Sequence, residues 1–339
     1  MRGCTIDMQA EVTIVAIGKN EASRLPHLVA SIKRLSEARV LDIETIYVDS
    51  ASTDSSVEIA KECFDRVLVL KDSPNLCAAA GRYIGTLAAT KNWVLYVDAD
   101  MEICDEFVAI LPELVSDESG SYGYIGKYNH LYGDGSRLQD GYGSINKYER
   151  RGSTFVKHFG GSVLLPRLAV LEAGNYNPSI FSNEEIDLYC RLRGLGLSVR
   201  FMDVDMIQHR TERFTRFQKL LGSFFPTKVI GKKYFGFGQL LASRIKGRQL
   251  GNLIRYFPYP FVFWSGLISF VIFMILRLTV ISLFVLGCTL LFIHFTKGFR
   301  FIALYFAFAF QAILGWTKYD PRYVPQIDRE YASDRSSGE

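Results

Sequence analysis

Four short apolar runs recur between residues 12 and 100 of the chain. They are Val12–Gly18, Ile43–Ser50, Arg66–Leu70 and Trp93–Asp100. We interpret them as buried strands, because parallel strands that are covered on both faces are continuously apolar. The stretches between them carry apolar residues at helical spacing and comprise residues 21–35, 52–64 and 77–91. This alternation predicts an α/β fold, with a mostly parallel central sheet flanked by helices.

Polar side chains follow three of these four predicted strands. Asn20 and Glu21 come after the first, Asp49 lies at the end of the second, and Asp98 and Asp100 end the fourth. Ligands of open parallel sheets bind outside the carboxyl ends of the strands, so these residues predict one binding site. Because an acidic cluster alone repels anions, we expect Mg²⁺ or Mn²⁺ to join these carboxylates to a diphosphate. For any single aspartate, a turn or a helix cap is the simpler interpretation.

The carboxy-terminal third contains two long apolar stretches. Phe261–Thr296 is apolar apart from Arg277, His294 and small polar residues, and Phe299–Trp316 is apolar again. As one helix the first stretch would be about 54 Å long, against a bilayer core of about 30 Å. A break near Arg277 would place its guanidinium at an interface, where it can snorkel. We therefore predict two to three transmembrane or re-entrant helices over residues 257–317. A soluble helical core is less favoured, because few polar residues remain to face water.

A basic segment precedes these apolar stretches. Between Met206 and Arg255 the chain has eleven Lys or Arg against one acid, Glu212, although the formal net charge of the whole chain is only +4. Phe, Leu and Tyr are interleaved with these cations, as in segments that lie on anionic lipid headgroups. We predict a basic amphipathic interfacial segment over residues 216–256 that contacts membrane lipids from the cytoplasmic side. Nucleic acid is the less favoured partner, since the sequence has no recognisable nucleic-acid-binding motif.

Five further segments carry a resemblance to a known family. In chain order they read VAIGKNEASRL, YVDSASTDSSVEIA, NLCAAAGRYIGTLAAT, YVDADMEI and NEEIDLYCRLRGLG. Their order and spacing resemble those of the inverting family-two glycosyltransferases, whose nucleotide-sugar-binding fold is called GT-A. The resemblance covers about Glu11 to Thr211 and implies a GT-A catalytic domain over residues 11–215, after an amino-terminal extension of residues 1–10.

The resemblance assigns donor-side roles to residues at the strand ends and on the third helix. It implies that Glu21 and Asp49 contact the base and ribose of the nucleotide. Asp98 would lie near the ribose and the metal, and Asp100 would hold Mn²⁺ or Mg²⁺ on the diphosphate. Arg82 matches the arginine of the family's Ala-Arg-Asn-x-x-Gly pattern and would also contact the nucleotide. The asparagine of that pattern is missing here, which leaves the donor sugar open.

Acceptor-side roles follow from the segment that begins at Asn183. By resemblance, the second residue of its acidic pair is the catalytic base, which is Glu185, with Glu184 before it. Asp187 follows on the acceptor side. An acceptor hydroxyl must lose a proton as it attacks the anomeric carbon, and a carboxylate can accept that proton. The alternative interpretation is a helix that starts with acids because of its dipole, an effect worth about 0.3 to 1 kcal/mol.

Two further features resemble parts of the family site. His209 follows a predicted strand, at a position where related enzymes often have a third metal ligand or a diphosphate contact. A lone histidine is more often structural, and we rank His130 below His209 as a site residue. Gly160 and Gly161 resemble a small-residue turn that leads toward the acceptor. The alternative for these glycines is a turn that requires a positive φ.

Together these features predict transfer of one sugar from a nucleotide-diphosphate sugar, with a UDP-sugar favoured. The acceptor would be lipid-linked or a membrane lipid, in cell-surface polysaccharide or glycolipid synthesis at the inner membrane, with the catalytic domain in the cytoplasm. The processive Gln-x-x-Arg-Trp motif is missing, so a growing homopolymer is not expected. Alternatives are a nucleotidyltransferase, which would need a glycine-rich phosphate loop, and a non-catalytic membrane scaffold. Residues 318–339 are predicted to form a polar tail whose last eight residues, ASDRSSGE, are disordered.

Overall fold

The predicted strands and helices of the first hundred residues are all present in the computed structural model. The described residues are 11–37, 41–117, 119–132, 155–156, 159–211, 233–247, 250–276, 278–297 and 311–333. The strands are β1 (Glu11–Gly18), β2 (Asp42–Asp49), β3 (Arg66–Leu70), β4 (Trp93–Asp98), β5 (Met101–Ile103), β6 (Tyr122–Tyr132), β7 (Val163–Pro166), β8 (Ser198–Thr211) and β9 (Ile327–Ala332). The helices are α1 (Leu25–Glu37), α2 (Ser56–Lys61), α3 (Ala78–Ala88), α4 (Asp105–Val115), α5 (Arg167–Glu172), α6 (Glu184–Gly194), α7 (Lys233–Lys246), α8 (Leu250–Tyr256), α9 (Tyr259–Ile275) and α10 (Thr279–Lys297).

The chain divides into two compact units. The first comprises Met1–Ser179, Glu184–Arg213 and Arg322–Glu339, and the second comprises Ile180–Asn183 and Phe214–Pro321. The first unit contains the sheet, and the second contains helices α7 to α10. The predicted boundary of the catalytic domain at residue 215 therefore lies two residues from the end of the first unit's second segment.

The sheet of the first unit is mixed rather than mostly parallel, which corrects the prediction. Its strand order is β5-β8-β6-β7-β4-β1-β2-β3-β9. The central strands β3, β2, β1 and β4 are parallel, whereas β7 and β9 pair antiparallel on either side of them. Strands β6 and β8 are parallel to each other, and β5 is antiparallel to β8. The outer strands were harder to predict because they mix polar and apolar residues instead of forming continuous apolar runs.

Helix α3 packs very closely on β1, which explains the spacing of its two glycines. A Cβ on Gly85 would lie 2.2 Å from Val15 Cγ1, and a Cβ on Gly81 would lie 3.0 Å from Ile17 Cγ2. Residues four apart share one face of a helix, so these glycines form the face that contacts β1. The packing therefore favours glycine at both positions, and more strongly at Gly85 than at Gly81.

The carboxy-terminal segment contains a strand, which corrects the prediction of a polar tail over residues 318–339. Strand β9 pairs antiparallel with the edge strand β3, and Lys71 N donates to Gln326 O at 2.8 Å. Arg66 lies 2.8 Å from Glu330, and the Lys61 ammonium lies 3.7 Å from the centre of the Tyr331 ring. The strand is polar because it lies at an exposed sheet edge, where backbone pairing alone decides its conformation. Residues 334–339 lie outside the described part of the chain.

The second unit contains the predicted apolar helices. Helix α9 ends at Ile275 and α10 begins at Thr279, so the predicted break near Arg277 is confirmed. No single helix among the described residues is both long and apolar enough to cross a membrane. Leu250–Tyr256 and Pro260–Ile275 pass that test only as a pair, across a bend of 99°. Membrane helices thus remain a prediction, and residues 216–232 and 248–249 of the predicted basic segment lie outside the described residues.

Candidate active site

The ends of β1, β2 and β4 lie next to one another at one edge of the sheet. In the β1–β2 ladder Gly18 is opposite Asp49, and in the β1–β4 ladder Ile17 is opposite Asp98. Asp49 and Asp98 therefore flank the end of β1, where the chain continues to Glu21. The structure brings the acids of three separate strands to one edge, as the parallel arrangement predicted.

Asp49 is fully buried and accepts hydrogen bonds from within its own turn. Its Oδ1 accepts from Ser52 Oγ at 2.5 Å, and its Oδ2 accepts from Ser52 N at 2.7 Å. Burial raises the pKa of Asp49, although the Ser52 hydrogen bonds act in the opposite direction. Its local role matches the turn interpretation, and its contact with a nucleotide stays a prediction.

A network of short polar side chains holds the loop after β1 against the loop after β2. Asn20 N donates to Ser52 Oγ at 2.8 Å, and Glu21 N donates to Ser56 Oγ at 2.8 Å. Asp54 binds both sides, because its Oδ2 accepts from Ala22 N and its Oδ1 accepts from Ser56 Oγ. The network fixes the backbone that carries Glu21, so this side chain projects from a defined loop.

Glu21 is paired with Arg24, a cation that the sequence analysis did not identify. The Arg24 Nε lies 2.6 Å from Glu21 Oε2, and its Nη1 lies 3.9 Å from Asp100 Oδ2. Burial raises the pKa of Glu21 to about 7, against the opposing effect of Arg24, and Asp100 and Asp98 raise it further. The spacing of Glu21 and Arg24, three residues apart just before α1, could have indicated this pair.

Asp100 and His209 form the part of the site that fits a divalent cation. His209 Nε2 lies 3.1 Å from Asp100 Oδ2, since β5 and β8 pair with Met101 opposite His209. Asp100 Oδ1 is buried and has no hydrogen-bond partner among the described residues. Burial lowers the pKa of His209, but the hydrogen bond to Asp100 and the charges of Asp100 and Asp98 together outweigh it, so the net shift is upward.

The described residues contain no cluster of three or more His, Cys, Asp or Glu that could hold a metal ion alone. A cation such as Mg²⁺ commonly uses one or two protein carboxylates and completes its shell with substrate phosphates and water. Asp100, with its buried unpartnered oxygen, and the adjacent His209 imidazole fit such a shared site. The metal-ligand roles of Asp98, Asp100 and His209 stay predictions.

Arg82 lies between the donor-side and acceptor-side acids. Its Nη2 donates to Asp98 Oδ1 at 2.6 Å, and its Nη1 donates to Glu184 Oε1 at 2.6 Å. The side chain is only 3% exposed, so little of the guanidinium is left to reach a solvent-borne ligand. Burial raises the pKa of Asp98 despite the opposing charge of Arg82. The nucleotide contact of Arg82 stays a prediction, and its two shortest hydrogen bonds are to carboxylates.

Glu184 and Glu185 begin α6 and differ in their surroundings. Glu184 is buried and binds Arg82, and its pKa is raised by burial and by the Glu185 charge, partly offset by Arg82. Glu185 Oε2 is buried and lacks a hydrogen-bond partner within the described part of the chain. Of the two acids, Glu185 has an oxygen left to accept a proton from a ligand.

Asp187, a predicted acceptor-side residue, points into the protein instead. It is fully buried, and its Oδ2 accepts from Arg191 Nη2 at 2.6 Å and from Arg191 Nε at 3.0 Å. Arg191 also donates to Asn175 O at 2.5 Å. These contacts give Asp187 a role in holding α6, and its acceptor-side role stays a prediction.

Gly161 lies directly beside Asp98. A Cβ on Gly161 would lie 2.4 Å from Asp98 Oδ2 and 3.0 Å from Arg82 Nη2. Gly161 O also accepts from Arg82 Nη2 at 3.3 Å. The close approach, rather than a positive φ, requires glycine at this position.

Two curated relatives are glycosyltransferases. The chain is 31% identical over 96 residues to an uncharacterized glycosyltransferase of Rickettsia felis, covering 28% of this chain and 31% of that protein. It is 25% identical over 215 residues to the pre-mycofactocin glycosyltransferase of Mycobacterium tuberculosis, covering 59% of this chain and 42% of that protein. The chain therefore spans less than half the length of each of these relatives.

Two solved structures are similar to the chain at low sequence identity. The S. aureus TarS 1-349 complex with UDP has a TM-score of 0.49 and 14% identity, covering 73% of this chain and 70% of that chain. GalNAc-T7 with UDP, GalNAc and Mn²⁺ has a TM-score of 0.49 and 14% identity, covering 68% of this chain and 48% of that chain.

A family model matches the segment that contains the donor-side candidates. The model described as Glycosyl transferase family 2 matches residues 13–168, from β1 through β7. The matched segment ends before α6, which carries Glu184 and Glu185. Its α/β sheet with flanking helices is of the GT-A type that the resemblance implied. By this match, residues 13–168, just under half of the chain, are similar to glycosyltransferase family 2.

Proposed function

We propose that this chain is a membrane-associated glycosyltransferase that moves one sugar from a nucleotide-diphosphate sugar to a lipid-linked acceptor. The reaction is metal-dependent and inverts the anomeric carbon, with Glu185 as the base. The family 2 domain supports a nucleotide-sugar donor and glycosyl transfer. A UDP-sugar is the first donor to test, and cell-surface polysaccharide or glycolipid synthesis is the proposed role.

The observation that carries this proposal is the position of Arg82 between two pairs of acids. Arg82 binds Asp98 on the strand-end side and Glu184 on the α6 side, both at 2.6 Å. On each side the neighbouring acid, Asp100 or Glu185, keeps a buried oxygen with no partner in the described residues. One guanidinium thus binds the acid next to the proposed cation ligand and the acid next to the proposed base, which supports placing both in one site.

Glu185 is suited to the proton transfer of the proposed reaction. The acceptor oxygen forms a bond to the anomeric carbon as the carbon's bond to the diphosphate oxygen breaks. The hydroxyl proton passes to Glu185, and a positioned base of this kind contributes about 10²- to 10⁴-fold to rate. Glu184 is less suited because its carboxylate is already bound to Arg82.

Asp100 and His209 are the residues that would hold the divalent cation. When bound, the cation would stabilise the negative charge that develops on the leaving diphosphate. Asp98 would stay in place through its ion pair with Arg82, and Arg24 adds a positive charge 3.9 Å from Asp100. The buried Asp100 Oδ1 supports this assignment, since an unpartnered buried oxygen is costly unless it binds a ligand.

Membrane association is supported by the helices of the second unit. Apolar side chains stay exposed on α9 and α10, with Ile275 at 74% and Val280 at 82% exposure. Exposed apolar surface of this kind marks a membrane or partner contact. We propose insertion of the α9–α10 pair into the inner membrane, with the first unit in the cytoplasm and a polyprenyl-type lipid as the acceptor carrier.

The test is nucleotide release by the detergent-purified full chain. UDP-, GDP- and dTDP-sugars are each supplied with membrane lipid extract and either Mn²⁺ or Mg²⁺. The proposal expects one donor to be consumed only when lipid extract is present, and consumption to stop on chelation. Consumption of no donor under any condition would favour the non-catalytic scaffold instead.

The nucleotidyltransferase alternative makes a different product. It would release diphosphate from a nucleoside triphosphate, whereas the proposed reaction releases a nucleoside diphosphate from a nucleotide sugar. Separating the nucleotides by ion exchange after incubation distinguishes the two. The loop after β1 binds the β2 loop through side chains of Asn20 and Asp54 and has no glycine-rich phosphate loop, which favours the transferase.

A further inference from the structure

His130 forms a chain of contacts with His209 and Asp100 that the proposed reaction does not yet use. His130 Nδ1 lies 3.0 Å from His209 Nδ1, and His209 Nε2 lies 3.1 Å from Asp100 Oδ2. The two rings meet edge to face, with centroids 5.1 Å apart. One nitrogen of His209 thus faces His130, and the other faces the candidate cation ligand.

The sheet holds both histidines in fixed positions. His130 on β6 is directly opposite His209 on β8, and Met101 on β5 is opposite His209 on the other side. The β6–β8 ladder shifts register twice between Ile125 and Tyr128 and is then regular through His130. Such irregularities re-aim the side chains that follow. The contact between the two rings is therefore set by strand pairing rather than by flexible loops.

The direction of the hydrogen bond between the rings follows from counting protons. A histidine that binds a cation through Nε2 must leave that nitrogen without a proton, so its proton lies on Nδ1. His209 Nδ1 then donates, and His130 Nδ1 must accept. His130 in turn carries its own proton on Nε2. Metal-bound histidines generally donate their other N–H to a fixed acceptor, which fixes tautomer and ring orientation.

We propose that His130 is a positioning residue that holds His209 in the tautomer that binds the catalytic cation through Nε2. The inference rests on the proposed metal-dependent function and deepens it. His130 itself touches neither cation nor substrate. The alternative is the reverse hydrogen bond, in which His130 donates, His209 Nε2–H donates to Asp100, and His209 is no ligand.

The test compares two substitutions of His130 in the full chain in detergent. His130→Phe keeps a planar ring but has no acceptor, whereas His130→Asn places an amide oxygen near the position of Nδ1. Asn129→Ala, the neighbouring residue on the same strand, is the matched control. Circular dichroism and thermal unfolding of each variant establish that the fold is retained.

The readout is Mn²⁺ binding in the presence of UDP, measured by the EPR signal of free Mn²⁺. His130→Phe is expected to weaken Mn²⁺ binding about 10- to 100-fold, as loss of an outer contact to a metal-bound histidine does. His130→Asn and Asn129→Ala should stay within a few-fold of the wild type. Pulsed EPR of the bound Mn²⁺ should show a ¹⁴N coupling from His209 in the wild type.

Two results would overturn the inference while leaving the proposed function intact. One is wild-type Mn²⁺ affinity in a folded His130→Phe variant, and the other is bound Mn²⁺ with no ¹⁴N coupling in the wild type. In both cases the protein still binds Mn²⁺ with UDP. A wild type that binds neither UDP nor Mn²⁺ would instead overturn the proposed function, and this inference with it.

Discussion

The strand-end region and the start of α6 each contain a pair of acids, and one arginine, Arg82, binds one acid of each pair. In the strand-end region Asp98 binds Arg82. Asp100 keeps an open oxygen, by which we mean a buried carboxylate oxygen that has no hydrogen-bond partner among the described residues. At the start of α6, Glu184 binds Arg82, and Glu185 keeps the open oxygen. Each region therefore has one acid that is held and one that is available.

The two regions differ in what stands near the available acid. Asp100 has His209 at 3.1 Å and Arg24 at 3.9 Å, which suits a cation-and-diphosphate contact. The residue beside Glu185 is the acid Glu184. Burial and the charge of Glu185 raise the pKa of Glu184. Sequence position alone therefore does not distinguish an acid that would bind a cation from an acid that would accept a proton. The groups that contact each carboxylate oxygen are what separates the two, because a buried charge needs a counter-ion or a bound molecule.

The largest effect is expected from removing the available acid at α6. Glu185→Gln should lower transfer by about 10²- to 10⁴-fold, because the base is lost while the shape of the side chain is kept. UDP affinity should stay near the wild-type value. Steady-state kinetics measure the transfer rate, and titration with UDP measures the affinity. Glu172→Gln, at an exposed acid, is the control. Unchanged transfer in Glu185→Gln would assign the base to another residue.

The next effect tests the available acid of the strand-end region. Asp100→Asn should lower transfer by about 10²- to 10³-fold, since the cation would supply several kcal/mol of charge stabilisation. Unlike Glu185→Gln, it should also weaken Mn²⁺ binding in the presence of UDP. Asp105→Asn, an exposed acid at the start of α4, is the control. Equal Mn²⁺ affinity in Asp100→Asn and the control would contradict the metal assignment.

A smaller effect tests the arginine that both regions share. Arg82→Lys keeps the charge but cannot bind two carboxylates with a rigid fork. We expect a loss of about 1.5 to 3 kcal/mol in the free energy of unfolding, the value of one charge-assisted hydrogen bond. Arg34→Lys, at an exposed ion pair with Asp105, should cost about 0 to 1 kcal/mol. Equal unfolding midpoints in denaturant for the two variants would show that Arg82 does not join the regions.

The smallest effect concerns Glu21 and the pH dependence of stability. Its pKa is about 7 in the folded protein, above the value of 4.5 for the unfolded chain. The folded protein therefore binds more protons between these values, and stability falls as pH rises through this window. Glu21→Gln removes this effect. The melting temperature of the variant minus that of the wild type should therefore increase as the pH is raised from about 5 to about 8. Glu37→Gln, at an exposed acid on α1, is the control.

Several parts of the site could be predicted because they depend on local patterns. The acids Asp49 and Asp98 lie where apolar runs end, and parallel strands bring such ends to one edge. The helix break near Arg277 also follows from local features, the length of the apolar stretch and the position of the arginine within it. Strand β9 could not be predicted in this way, because IDREYA has no apolar run and pairs only with an edge. The ion pair of Asp187 with Arg191 could not be predicted either, since it forms inside the folded domain.

The sequence by itself determined which segments form the central strands, and it showed that acids follow them. These properties are local, because side-chain pattern and turn chemistry act over a few residues. Only the tertiary structure decided which acid of each pair binds Arg82 and which one keeps an oxygen without a partner among the described residues. Arg82 meets Asp98 and Glu184 across separations of 16 and 102 residues, and His130 meets His209 across 79. Such contacts depend on strand order and register, which no local pattern encodes, so the chemistry of the site emerges only when the sheet is assembled.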